Sequence, residues 1–302
     1  LKVHTDGIII PGEKPPAKGK IKVCEDYLLV DKFPAPNIIL ADGCSASKFT
    51  DVGARILCFN SWDILTSKNT MGGLDDFPPH DFADIITKML QGRFGDVPDS
   101  TFMDSTLICS YYTGNDVRAL MFGDGVLIHM THNTTPRMAT TIDVDFEHNA
   151  PFYLSYELNE SRMRKYRGMM SDTPKKIRMH DIRMDDGRVA EIGDFDEDLD
   201  KITYFSFPVQ PGDIVIVASD GIKQILDKAN NIYDLHEFVK DLLSFKNMNG
   251  TFLQRRMKRI MDDYRLYGFR PYDDISIGAY YFTGEPNEGE SKSPGKEEDS
   301  NN

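Results

Sequence analysis

Apolar positions fall mostly into short runs between turns, with only a few stretches at helical spacing. The runs at 27–30, 37–40, 106–112, 117–122, 126–130, 204–207, 213–218 and 275–282 are strand-sized. The last alternates Ile275, Ile277, Ala279 and Tyr281, the two-residue period of a strand. The stretch from Val117 to Met130 breaks at Gly123-Asp124-Gly125, which predicts a hairpin turn. Helical spacing is clearest at 81–91 (Phe82, Ile85, Ile86, Met89, Leu90) and at 234–245 (Leu235, Phe238, Val239, Leu242, Leu243). A third helix is expected to start at Thr251, with Gln254 completing a capping-box pattern, and a fourth at 51–65. Strands come in runs and helices in pairs. That favours an α+β layered body over a parallel doubly wound sheet.

Three segments stand apart. Residues 1–20, rich in Pro, Gly and Lys, read as an N-terminal arm ahead of a domain over 21–282. Residues 146–203 are polar and Met-rich and read as an insertion over one edge of the body. Residues 283–302 carry acids and no large apolar side chain, so a disordered acidic tail is expected.

At 302 residues and 40% hydrophobic content, the chain has enough apolar material for a sizeable core. Lys and Arg number 35 against 48 Asp and Glu, a net charge of −13. Such a balance argues against nucleic acid as a partner, since backbone binding needs clustered cations. No apolar run approaches the roughly 18 residues of a membrane span, so no membrane association is expected. Cys24, Cys44, Cys58 and Cys109 show neither zinc spacing nor disulfide density, and no secretory leader pattern is visible. A reduced, cytoplasmic setting is the expectation.

The candidate chemistry lies in Asp residues beside strands. The run at 37–40 leads into Asp42-Gly43, and that at 213–218 into Ser219-Asp220-Gly221. Asp273-Asp274 precedes the run at 275–282, and Asp124 sits at a hairpin tip. Antiparallel neighbours place the end of one strand beside the start of the next, so these four positions can converge on one sheet edge. Gathered carboxylates repel unless cations lie between them, and hard oxygen donors suit Mg²⁺ or Mn²⁺. Each Asp-Gly taken singly is an ordinary turn dipeptide. It is their order along the chain, each beside a strand, that points to a metal site.

In this order the chain resembles the metal-dependent type 2C Ser/Thr protein phosphatases, closer to bacterial-type members. Glu25 and Asp26 are similar to the family's acidic pair, about twenty residues before the Asp42-Gly43 strand end. The segment 104–125 resembles its small Ser/Thr segment and Gly-Asp turn, 208–222 its Ser-Asp-Gly strand, and 271–282 its final strand. The resemblance implies a four-layer α/β/β/α sandwich, two antiparallel sheets face to face with helices outside. It implies two Mg²⁺ or Mn²⁺ ions, bridged by Asp42, with the Gly43 carbonyl on one and Asp220 and Asp273 on the other. Glu25 and Asp26 would hold metal-bound waters, and Asp124 would help a third, looser ion. Residues 146–203 would be a flap beside the site. The activity implied is hydrolysis of phosphoserine and phosphothreonine on proteins by a metal-activated water, without a covalent intermediate.

The chain departs from that pattern in places. A His that resembles a general acid in eukaryotic members is replaced by Cys44. The family's phosphate-binding Arg falls on Ile21, and Lys20 and Lys22 beside it could partly substitute as point charges. Asp274 stands where an Asn is usual. These departures keep two other readings open: a pseudophosphatase acting as a binding module, and a phosphatase of small phosphoesters. Seven basic side chains at 162–178 could guide a phosphorylated partner or form an ordinary solvated face. Asp194, Asp196 and Asp198 imitate a calcium loop, but Leu199 and Phe205 stand where Gly and Glu are needed.

Overall fold

The computed structural model describes residues 1–15, 23–33, 35–71, 73–75, 77–95, 97, 99–135, 137–197 and 202–284. The strands are β1 (Lys2–Ile10), β2 (Tyr27–Asp31), β3 (Asn37–Ala41), β4 (Leu107–Tyr112), β5 (Asp116–Phe122), β6 (Gly125–Thr131), β7 (Met138–Phe146), β8 (Lys175–Arg183), β9 (Val189–Glu197), β10 (Thr203–Pro208), β11 (Ile214–Ala218), β12 (Ile225–Leu226), β13 (Arg270–Pro271) and β14 (Ile275–Thr283). The helices are α1 (Thr50–Met71), α2 (Pro79–Phe94), α3 (Glu160–Arg167), α4 (Leu235–Leu243) and α5 (Phe252–Tyr267).

A seven-stranded sheet runs β1-β14-β11-β6-β7-β8-β9, and a five-stranded sheet runs β10-β5-β4-β3-β2. Every pairing in both is antiparallel. Alternate side chains of each strand point to opposite sides, and three apolar layers result. Ile38, Leu40 and Ile108 of the small sheet meet Leu127, Val217 and Tyr280 of the large one between the sheets. Ile39, Cys109 and Leu120 pack outward under Leu57 and Ile86 of α1 and α2. Ile128, Ile216 and Ile277 pack outward under Val239 and Met257 of α4 and α5. This is the expected four-layer α/β/β/α sandwich of the α+β class.

The eight apolar runs read from the sequence are strands β2–β6, β10, β11 and β14, and the four expected helices are α1, α2, α4 and α5. The N-terminal arm is a correction. Lys2–Ile10 is an edge strand of the large sheet, paired with β14 along its whole length. It escaped because its side chains mix polar and apolar and Gly7 interrupts them. That Gly is required, since a Cβ there would lie 2.6 Å from a Val30 methyl of β2.

A second correction concerns α5. Thr251 makes no side-chain capping bond. Asp6 of β1 caps the helix instead, accepting from the backbone N–H of Leu253 (2.7 Å) and Gln254 (3.1 Å) and from the Gln254 side chain (2.9 Å).

The stretch 146–203 is more regular than expected. Its first residue ends β7, and β8 and β9 within it extend the large sheet. Lys20, Lys22 and residues 285–302 of the expected tail lie outside the described residues. Among the described residues no helix is long and apolar enough to cross a membrane.

Candidate metal and phosphate site

The acids do not share one sheet edge as expected: the fully buried strands β3 of the small sheet and β11 of the large sheet lead into Asp42 and Asp220, which meet across the two sheets at one cavity. Asp42 follows β3, and its backbone N–H and carbonyl are held by the Thr106 side chain (3.3 Å) and backbone N–H (2.8 Å). Gly43 has no room for a side chain, because a Cβ would meet the Glu25 carbonyl at 2.7 Å and the Thr50 side chain at 2.9 Å. Asp220 opens a single 3-10 turn after β11 and accepts a hydrogen bond from Gln224 Nε2 (2.8 Å). In the next residue, Gly221, a Cβ would lie 1.9 Å from the Asp274 carbonyl, so only Gly allows this turn beside the start of β14. Asp124 is buried in the turn between β5 and β6, whose flanking glycines have φ of +91° and +148°.

Asp42, Gly43, Asp124, Asp220 and Asp273 all line one cavity of about 220 Å³. Cys44, Ser45, Thr106, Tyr153, Gln224 and Lys14 complete much of its wall. Glu25 and Asp26 stand behind it. Thr50 Oγ1 donates to Glu25 Oε1 (3.4 Å), and Glu25 N–H donates to Asp274 Oδ2 (2.9 Å). The buried Asp26 accepts from Ser219 Oγ (3.1 Å), whereas its Oδ1 has no hydrogen-bond partner. Asp274 is a structural acceptor, bonded by the N–H groups of Gly12 (2.7 Å) and Glu25.

The acids resist ionisation together. Burial first, and then the neighbouring Asp274 charge against donated hydrogen bonds, leaves the Asp26 carboxyl at about 7. Burial, then the charges of Asp26, Asp220 and Asp124, hold the Asp42 carboxyl well above the usual range. Burial and the Asp220 charge push Asp124 up to about 8, against the pull of Lys223. A site that penalises its own anions in this way asks for cations.

The donor set fits Mg²⁺ or Mn²⁺ in kind: hard oxygen donors with an orphaned buried carboxylate oxygen behind them. It is not closed up. Among the described residues no three His, Cys, Asp or Glu side chains stand together as a group able to hold an ion. Two of the candidates have internal partners, Asp220 with Gln224 and Asp273 with Lys14 (3.1 Å).

Sequence reading missed Lys14, whose Nζ also donates to Ser45 Oγ (2.9 Å). Nothing local marks it; backbone bonds from Glu13 and Lys14 to Pro271 and Tyr272 carry it to the cavity. It also missed Ser219, although that residue is part of the Ser-Asp-Gly signal. Besides holding Asp26, its hydroxyl accepts from the Ser276 N–H (3.0 Å), tying β11 to β14. Tyr153 is a third. Burial and the nearby Cys44 raise its phenol far above its ordinary value, so it keeps its proton.

The basic stretch after 161 is largely compensated. Arg162 makes a two-pronged pair with Asp104 (2.7 and 2.9 Å). Arg164, Lys175, Lys176 and Arg178 pair with Glu160, Glu197, Asp194 and the Asp143–Asp145 pair. A patch whose charges are spent locally exerts little long-range pull.

No curated protein sequence matches the chain. Among solved structures, a bacterial serine phosphatase superposes with a TM-score of 0.52 at 12% identity, covering 94% of this chain and 100% of the other. The PP2C phosphatase domain, with a fragment of the regulatory domain, of the cell fate determinant SpoIIE from Bacillus subtilis superposes with a TM-score of 0.51 at 15% identity. It covers 94% of this chain and 65% of that one. These likenesses are of fold. The family model for protein phosphatase 2C matches residues 18–262, and on that match the chain belongs to the protein phosphatase 2C family.

Proposed function

We propose that the protein is a Mg²⁺- or Mn²⁺-dependent phosphatase of phosphoserine and phosphothreonine in proteins. One observation carries the reading: five residues far apart in sequence, Asp42, Gly43, Asp124, Asp220 and Asp273, line a single cavity in a chain of this family. Asp42, Asp220, Asp273 and the Gly43 carbonyl would hold a pair of divalent ions, and Asp124 a looser one. When bound, such ions supply positive charge to the phosphoryl oxygens and activate water for in-line attack.

The remaining roles fall to the chain. Glu25 and Asp26 accept hydrogen bonds from water entering behind Asp42. Ser219 and Thr106 hold Asp26 and Asp42 in place, which limits reorganisation during reaction. Lys14 is the cationic side chain among the described residues of the cavity wall and binds the phosphoryl group as a point charge. That assigns it the task for which Lys20 and Lys22 were the sequence candidates. Cys44 lines the cavity where a general acid would stand. A single acid contributes typically ~10²–10⁴-fold, so the absence of that His slows turnover without abolishing it.

Assay of p-nitrophenyl phosphate with Mn²⁺, with EDTA and with Asp42→Asn tests the reading. Metal-dependent turnover, lost in EDTA and in the variant, is expected. Wild-type turnover no higher than the variant's would favour the binding-module alternative.

A further inference from the structure

The cavity continues past Asp220. A second one, of about 640 Å³, shares Asn149, Asp220 and Gln224 with its wall. Its floor is the helix-side face of β7 and β8. Ala139, Thr141, Asp143 and Asp145 share that face by the two-residue period of a strand, as do Arg178, His180 and Ile182. Ala139 and Ile182 lie in the core beneath α4 and α5. Thr141, Asp143, Asp145, Arg178 and His180 line the open trough. The helical layer therefore stops partway across the large sheet, and the face turns polar where it stops.

The side wall is the approach to α4. Ile232 on it is 69% exposed, and Leu235 stands beside it. His236 packs on His180, ring centroids 4.6 Å apart. The floor charges cancel. Arg178 lies 2.7 Å from both Asp143 and Asp145, and Lys223 pairs with the same two carboxylates. A trough with a neutralised floor offers little to a free anion. An open, polar floor that continues from the candidate site, with the exposed Ile232 and the half-buried Leu235 on its wall, instead suits a polypeptide that lays an apolar side chain against that wall.

We propose that this trough receives the polypeptide that flanks the phosphorylated residue, with an apolar substrate side chain seated against Ile232. The proposal rests on the phosphatase reading and extends it, naming where the chain beside the phosphorylated residue is held. It predicts that Ile232 governs the choice of peptide over small substrate.

The test uses the full chain with Mn²⁺, a fluorescein-labelled phosphoserine peptide with Leu on both sides of the phosphoserine, and p-nitrophenyl phosphate. Anisotropy in EDTA, where the peptide is not turned over, gives peptide affinity; steady-state kinetics in Mn²⁺ give kcat/KM for both substrates. Ile232→Asp should weaken peptide binding roughly tenfold, the scale of one buried aliphatic side chain. The ratio of peptide to aryl-phosphate kcat/KM should fall by the same factor, and Ile232→Leu should restore both. Unchanged peptide affinity in Ile232→Asp overturns the proposal, as does an equal loss for the two substrates. Absent turnover in wild type would count against the phosphatase reading instead, and the anisotropy comparison would still decide the trough.

Discussion

Lys14 Nζ lies 3.1 Å from Asp273 Oδ2, so a fixed ammonium holds a carboxylate that the proposed ions require. The pair is partly exposed, with 35% and 28% of the two side chains accessible, and is worth at most about 1 kcal/mol. Lys14→Gln should tighten Mn²⁺ binding by a few-fold, because a competitor for Asp273 is gone. It should also raise KM for p-nitrophenyl phosphate about tenfold or more, the cost of a charged hydrogen bond to the phosphoryl group. Calorimetry with Mn²⁺ and steady-state kinetics check the two effects. An unchanged KM would remove Lys14 from phosphate binding.

The raised carboxyls set a pH dependence with a definite sign. Asp26 titrates at about 7 and Asp124 at about 8 in the folded chain, against about 4 when unfolded. A group of this kind stabilises the fold fully below its unfolded pKa, and the contribution is lost as pH rises through the folded value. His4 and His236, whose values burial lowers, act in the opposite sense near their ordinary value of 6.5. The metal-free Tm should therefore fall as pH rises from about 5 to about 8, with the two histidines offsetting part of the fall below about 6.5. Mn²⁺ should raise Tm more at the alkaline end, since it binds the ionised carboxylates. Thermal melts in EDTA and in Mn²⁺ check this, and a metal-free Tm that climbs through that window would contradict it.

Breaking the Asp104–Arg162 pair should destabilise the protein strongly. Asp104 is buried and also accepts hydrogen bonds from Ser47 (2.7 Å) and Ser155, so it joins the loop after Gly43 to α3. Arg162→Met leaves that carboxylate without its cation, at a cost of roughly 3 kcal/mol. Arg162→Lys should recover only part, because an ammonium lacks the planar fork. Urea denaturation measures both. A loss below about 1 kcal/mol for Arg162→Met would show that the pair contributes little.

Asp6→Ala should cost about 1–2 kcal/mol by uncapping α5, whereas Thr251→Ala should cost almost nothing. The same denaturation experiment ranks them, and the reverse order would restore the local capping box.

What the sequence disclosed follows what burial does to composition. Strands β3, β4 and β11 are buried on both sides and read as continuous apolar runs, so they were legible. Strands β7, β8 and β9 turn Thr, Asp, Lys and Arg toward a face with little or no helix over it, and their period is lost among charges. The Asp42, Asp124, Asp220 and Asp273 positions were legible because each adjoins a strand end in family order. Lys14 beside Asp273 and Asp6 beneath α5 were not. Each acts on a partner some 250 residues away, a contact made by the pairing of β1 with β14 and invisible in local pattern.

The most direct test is a calorimetric titration of Mn²⁺ into wild type, Asp220→Asn and Asp42→Asn at about pH 8. Gathering of Asp42 and Asp220 on shared ions requires that wild type bind two ions, and that either substitution weaken binding by at least about tenfold. Wild-type binding no tighter than in both variants would contradict it.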